Sequence, residues 1–417
     1  MRINGKRPEC LDLDAWRLFS PSEVVAHYDD MIKMHEAAEN QQKMRFGSAL
    51  IFRQQLAPVD MFCYLKARFG GPNGLQTKAR KDDSGNWVHW DYHFHSHKAH
   101  VYILGTDREV HFMISETLAD ADWPALTHAI KSDYKRFGKA KSQIKNSLEK
   151  WFVFPNHFVE TANICADLHY KIVNSLVKAK PYDLSRPLTD QGLTGGNNDF
   201  QRMSRLVHSL ASNCLQLTLI TPVLAEAFIN MMIVILCKKE IRDNERQFEA
   251  FIRSQIDAKI FDLPFKCQEF STSVDQTCDT YKRFKRVMDK RNHTIHGNVS
   301  PEREQIEVVY FEGRRPLFVE AGDNIGKYLE SIRRRCEPAT VIADYEDVYL
   351  FLVYLASLVK PVARAGLWRV MEDPLPGYDA KRKITGALFP GVVVSGAAEG
   401  IKYDDELSVN WAEPRGK

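Results

Sequence analysis

"NWVHWDYHFHSHKAHVYILGTDREVHFMIS", residues 86–115, decides the character of the first part of the chain. Apolar or aromatic residues alternate with polar ones, the period of half-buried strands rather than of helices. Gly105-Thr106-Asp107-Arg108 marks a turn. Two or three antiparallel strands are therefore expected here. His93, His95 and His97 would share one face of the first. Alternating histidines can hold zinc or another transition metal. Yet no cysteine or acidic partner stands beside them at fixed spacing. Same-face neighbours on one strand are also ~6.5–7 Å apart. A half-exposed strand rich in amphipathic rings is the simpler reading. Metal binding by His93, His95 and His97 is the lesser alternative, and stacking of these rings on RNA bases a third.

Outward from this stretch the texture changes. "SPSEVVAHYDDMIKMHEAAENQQKMRFGSALIFRQQ", residues 20–55, reads as helical. Ser20 is its cap, Pro21 its first-turn proline, and Glu23 completes a capping pattern. "GGPNG", residues 70–74, lacks the Lys-Ser/Thr ending of a phosphate-binding loop and reads as a turn. Helical patterning resumes near Trp123 and runs to about Lys180. Residues 1–190 thus form an α+β module for sensing, binding or restraint. The Pro-, Gly- and Asn-rich stretch 180–199 is the expected linker.

Residues 195–370 read as mainly α-helical. Residues 200–218 form one expected helix. Thr221 caps the next, with Pro222 at its first position and Leu224, Phe228, Met231 and Ile235 as its buried stripe. Helices follow over 245–260 and 271–297, with Gly297 as a C-terminal cap. "QIEVVYFEGRRPLFVE", residues 305–320, reads as an inserted β-hairpin, and closing helices follow over 323–335 and 344–361. Residues 371–417 are expected to be a loosely structured tail.

The bulk numbers exclude some classes. The 417 residues are 44% hydrophobic and 27% charged, an ordinary globular balance. A net charge of +3 is small for this length, so nucleic-acid binding would need a local basic patch. The eight cysteines form no CxxC pair, as expected of thiols in a reducing cytoplasm. "LITPVLAEAFINMMIVILC", residues 219–237, is interrupted by Thr221, Pro222, Glu226 and Asn230, so a buried helix is expected rather than a membrane span. No signal core opens the chain, and a cytoplasmic location without membrane contact is expected.

The candidate chemistry lies in "RNHTIHG", residues 291–297. At ~100° per residue, Asn292 and His296 share a helix face, and Arg291 flanks it. Lys282, Arg283, Lys285, Arg286 and Lys290 make a cationic approach, with Asp289 as the acid among them. Cleaving RNA without a metal requires deprotonating a 2′-hydroxyl, bracing the phosphate and protonating the leaving oxygen. Histidine titrates near neutrality and suits the proton transfers, and a guanidinium suits the phosphate oxygens. "SIRRRC", with Arg333, Arg334 and Arg335, is a solvated helix face or a widening of that surface.

Arg291-Asn292-His293-Thr294-Ile295-His296 resembles the Arg-x4–6-His motif of HEPN domains, and its helical surroundings agree. The resemblance covers roughly residues 200–365. It implies a HEPN-like helical bundle and a metal-independent endoribonuclease that acts as a homodimer, a toxin or an antiviral-defence effector. By that resemblance Arg291 and His296 are the catalytic pair and Asn292 a supporting group. Lys282, Arg283, Lys285, Arg286 and Lys290 would contact RNA. His293, Glu226 and Asn230 are possible supporting residues. No cofactor is expected, and an antitoxin or trigger molecule is the expected partner of the N-terminal module. The alternative is a non-catalytic dimerisation or nucleotide- or RNA-binding module, with the main function in the N-terminal part.

Overall fold

The computed structural model describes residues 8–38, 47–79, 86–182, 198–295, 301–302, 305, 307–319, 324–389 and 401–412; for 30–38, 79 and 291–295 it describes the backbone alone. The chain divides into two compact units: Met1–Lys150 with Leu388–Lys417, and Trp151–Ala387.

The first unit is built on a mixed sheet. In chain order its strands are β1 (Trp16–Leu18), β2 (Ser48–Phe52), β3 (Trp90–Ser96), β4 (Ala99–Gly105), β5 (Val110–Ile114) and β11 (Lys402–Tyr403). They lie in the spatial order β1-β3-β4-β5-β2-β11. All pairings are antiparallel except β11 with β2. The alternation expected over 86–115 is realised as β3, β4 and β5. Tyr92, Phe94, Val101, Ile103 and Phe112 bury one face in the core. Helices α2 (Pro58–Phe69) and α4 (Asp122–Arg136) supply Met61, Tyr64, Leu65, Trp123, Leu126 and Ile130 to that core. A Cβ at Gly105 would run into the Trp90 ring, so a strand-end glycine is required there. The opposite face is covered in part by α1 (Pro21–Ala38), whose start carries the expected capping bonds between Ser20 and Glu23.

Two expectations change in this unit. The helical reading of 20–55 fails at Ser48–Phe52, which is β2, a strand between β5 and β11. A short apolar run carries no periodicity that separates buried strand from buried helix. The pairing partner β5 decides it. The tail is also not loose where it is described. Asp404 is fully buried and accepts bonds from the backbone N–H groups of Arg53, Gln54 and Gln55, holding β11 against β2. Arg53 adds an ion pair to Asp405 at 2.7 Å.

The second unit is mostly helical. Its main helices are α6 (His157–Ala179), α7 (Asn198–Leu236), α10 (Ile256–Lys266), α11 (Asp279–Ile295), α12 (Asn324–Cys336), α13 (Pro338–Ser357) and α14 (Pro361–Met371). α7 is long and apolar enough to cross a membrane, yet most of its apolar stretch is buried inside the unit. The expected break at Thr221-Pro222 does not occur, and α7 runs straight through it. Proline removes one helix N–H. The buried stripe Leu217, Leu224, Phe228 and Met231 continues on the same face, however, and packing holds the helix together. The Thr221 hydroxyl donates back to the Leu217 carbonyl at 2.7 Å.

The division between units falls at Lys150/Trp151 and not within 180–199. β6 (Trp151–Val153) pairs with β9 (Gly377–Asp379), and β9 pairs with β10 (Ile384–Gly386). Residues 151–182 thus belong to the helical unit, together with the first part of the expected tail. Residues 183–197 of the linker lie outside the described residues. The hairpin is present as β7 (Val309–Glu312) and β8 (Arg315–Phe318). Tyr310, Phe311, Leu317 and Phe318 on it are all exposed.

Candidate functional site

α11 is held by its apolar face. Tyr281, Phe284, Val287 and Met288 are buried at helical spacing, and the Phe284 ring stacks on Phe351 of α13 with centroids 4.0 Å apart. The same spacing turns the basic residues outward. The helix continues to Ile295, so Arg291, Asn292 and His293 lie on its last turn, though their side chains are not described. His296 and Gly297 lie outside the described residues.

The cationic approach is not free. Lys285 pairs with Asp257 at 2.8 Å and Arg283 with Asp347 at 3.0 Å. Arg286 reaches Asp347 at 3.0 Å and Asp344 at 3.4 Å, and Lys290 reaches Asp344 at 2.9 Å. Asp257 lies on α10, and Asp344 and Asp347 lie on α13, where they are buried. The Lys285 ammonium is held above its ordinary pKa, chiefly by its hydrogen bond to Asp257. Lys282 is exposed. Much of the positive field expected along α11 is thus met by carboxylates from neighbouring helices. Beside these pairs an open cleft of about 570 Å³ is lined by Arg286, Lys290, Ala339, Thr340, Ala343 and Asp344. Arg333 and Arg334 of the arginine run pair with Glu330 on their own helix.

Glu226 and Asn230 do come together. They stand one turn apart on α7, and the Lys259 ammonium of α10 donates to both, at 2.9 Å each. Lys259 is 1% exposed, so this is a buried cation with its polar contacts provided. Sequence reasoning missed Lys259. The available signal was a lysine beside Ile260 and Leu263 on the buried stripe of a short helix.

The histidines of the sheet separate. His97 sits in the β3–β4 turn at φ +53, which takes its ring off the strand face, and its Nε2 meets Asp12 at 2.9 Å. His95 stacks on Phe19 and lies 3.3 Å from Glu23. His93 is buried, and its Nδ1 lies 3.1 Å from Nε2 of His100 on β4. The expected trio His93, His95 and His97 therefore does not converge. Among the described residues, the histidines whose ring nitrogens lie within 4.8 Å of one another are His27 of α1, His93 and His100. Burial and the neighbouring imidazoles lower the pKa values of His93 and His100 to about 3, so both are neutral at pH 7. Tyr102 stacks on His93 at 4.1 Å, and its hydroxyl lies 3.4 Å from both Tyr28 and the buried Asp91.

No family model matches the chain, and no solved structure matches it. A curated relative is the WD repeat-containing protein JIP5 of Cryptococcus neoformans var. neoformans serotype D (strain B-3501A), 26% identical over 106 residues. The aligned part is 23% of this chain and spans 28% of that protein. A similarity of that extent assigns no family to the chain.

Proposed function

We propose that the helical unit is a metal-independent endoribonuclease of the HEPN type, working as a homodimer in the manner of a toxin or antiviral-defence effector. The observation that carries this reading is the course of α11. It remains helical through Ile295, with Arg291 and Asn292 on its final turn, directly after the cleft-lining Arg286 and Lys290. His296 is the proton-transfer group, Arg291 braces the phosphate, and Asn292 positions them. Two copies supply the acid and the base of one cleavage. The exposed Tyr310, Phe311, Leu317 and Phe318 of the hairpin offer apolar surface for the second copy. The test is cleavage of single-stranded RNA with chelator present. His296→Ala should lose ~10²–10⁴-fold in rate, the usual contribution of a general acid or base. Equal cleavage by the variant and the natural protein would sink the assignment.

The second reading, a non-catalytic module, draws support from the ion pairs of α11. Cations already paired with Asp257, Asp344 and Asp347 offer little to a phosphate backbone. It predicts homodimers without cleavage by any variant.

A further inference from the structure

We propose that His27, His93 and His100 form a binding site for a divalent transition-metal ion of the zinc class, with three imidazoles as ligands and water in the fourth position. The site lies in the first unit and is independent of the ribonuclease reading. The rings come from three elements: α1 over the sheet, and the neighbouring strands β3 and β4. His93 and His100 are diagonal neighbours on one sheet face, because His93 stands opposite Tyr102 and His95 opposite His100.

The separations suit an ion of this size. Zinc–nitrogen bonds of ~2.0–2.1 Å in a tetrahedron set ligand nitrogens roughly 3.3–3.4 Å apart. His93 and His100 already stand at 3.1 Å. All three rings offer nitrogens within 4.8 Å of one another, so closing the set takes ring movements of about 1 Å. His93 Nδ1 and His100 Nε2 are joined by a hydrogen bond, and ligation of both atoms would release the proton they share.

His93 is 1% exposed, and its Nε2 has no hydrogen-bond partner among the described residues. A buried ring nitrogen without a partner is costly in a folded protein and calls for an explanation. An ion ligated at Nε2 would give that nitrogen its partner, whereas ligation at Nδ1, the nitrogen beside His100, would take up the His93–His100 contact and leave Nε2 protonated. The packing holds the rings close to position. Tyr102 stacks on His93, and Phe19 packs against His100 at 4.7 Å. Neutral imidazoles without a thiolate or carboxylate select zinc, cobalt, nickel or copper over magnesium and calcium. Three protein ligands with one open position are the pattern of catalytic zinc rather than of closed structural zinc.

The experiment uses the full chain, freed of metal and titrated with Co²⁺ and Zn²⁺. One ion per chain is expected, with the visible d–d absorption of low-coordinate cobalt and without thiolate charge-transfer bands. That last feature excludes binding at the eight cysteines. Zn²⁺ should raise the thermal midpoint of the natural protein and leave that of His27→Ala unchanged. His27→Ala and His100→Gln should each lose the cobalt spectrum, while His97→Ala should keep it. Should His100→Gln fail to fold, His27→Ala, on the half-buried helix ring, still decides the question. Absence of stoichiometric binding by the natural protein would overturn the proposal. So would a cobalt spectrum that survives in His27→Ala.

Discussion

The outer face of α11 and the covered face of the β3–β4 hairpin solve opposite electrostatic problems. Along α11, charged side chains meet opposite charges: Asp257, Asp344 and Asp347 answer Lys285, Arg283, Arg286 and Lys290. On the sheet face, His93 and His100 stand together with each other and with His27, and burial keeps them uncharged. The difference shows why a count of basic residues is a poor guide to a phosphate site. A cation already hydrogen-bonded to a buried carboxylate is spent, whereas a neutral imidazole keeps its lone pair. Charge along a sequence says how much could be attracted; pairing in the fold says how much remains.

The largest expected effect on stability lies beneath the charged face. Phe284→Ala should destabilise the helical unit by ~3–5 kcal/mol, the usual cost of removing a buried aromatic ring. Chemical denaturation measures it, and a loss below about 1 kcal/mol would mean that α11 is held by its ion pairs and not by its apolar stripe.

Next comes the buried lysine. Glu226→Ala leaves Lys259 with Asn230 and should cost about 2 kcal/mol, less than a fully buried pair because Glu226 is partly exposed. Lys259→Met keeps the packing, releases Glu226 to water, and should cost under about 1 kcal/mol. The reverse ranking in thermal melts would show that the network is prized for its charge rather than tolerated.

Freeing the cations is a smaller change. The double variant Asp344→Asn/Asp347→Asn releases Arg283 and Arg286 from their ion pairs with these carboxylates. Affinity for single-stranded RNA should rise roughly 10-fold at low salt, and the log–log salt slope should steepen by about 1.4, near 0.7 for each of the two arginines engaged. An unchanged salt slope would remove α11 from the RNA-binding surface altogether.

The smallest effect concerns acid stability. The Asp379 carboxyl accepts from the backbone N–H groups of Arg382 and Lys381 and from the Arg382 guanidinium, and these contacts hold its pKa below the ordinary 3.8. A carboxylate depressed by folding stabilises the fold above its unfolded pKa and ceases to do so as pH falls through the folded value. Its contribution is therefore present above about pH 4 and lost below it. Asp379→Asn should lower the melting temperature slightly at pH 7 and make no difference near pH 2. An equal shift at both pH values would point to lost hydrogen bonding rather than lost charge.

Some of this was legible residue by residue. The alternation in 86–115 became β3, β4 and β5, and the hairpin of 305–320 became β7 and β8, because side-chain period follows directly from backbone geometry. The Ser20–Glu23 cap was equally local. "SALIF" was not legible, since a short apolar run becomes a strand only when another strand accepts it. Pro222 misled because its local cost was read without the packing that offsets it. Lys259 was passed over because its partners, Glu226 and Asn230, lie on another helix.

What the sequence determined by itself is therefore local: the kinds of element, their buried stripes, and the placing of Arg291 and Asn292 near the end of a helix. The tertiary structure alone decided which polar groups meet. It carried Asp257, Asp344 and Asp347 to the cations of α11. It exchanged His95 and His97 for His27 and His100 beside His93. The reason is physical. Periodicity is written by the backbone over a few residues. The partner of a charge or a lone pair is chosen only when distant segments are packed together by the burial of their apolar faces.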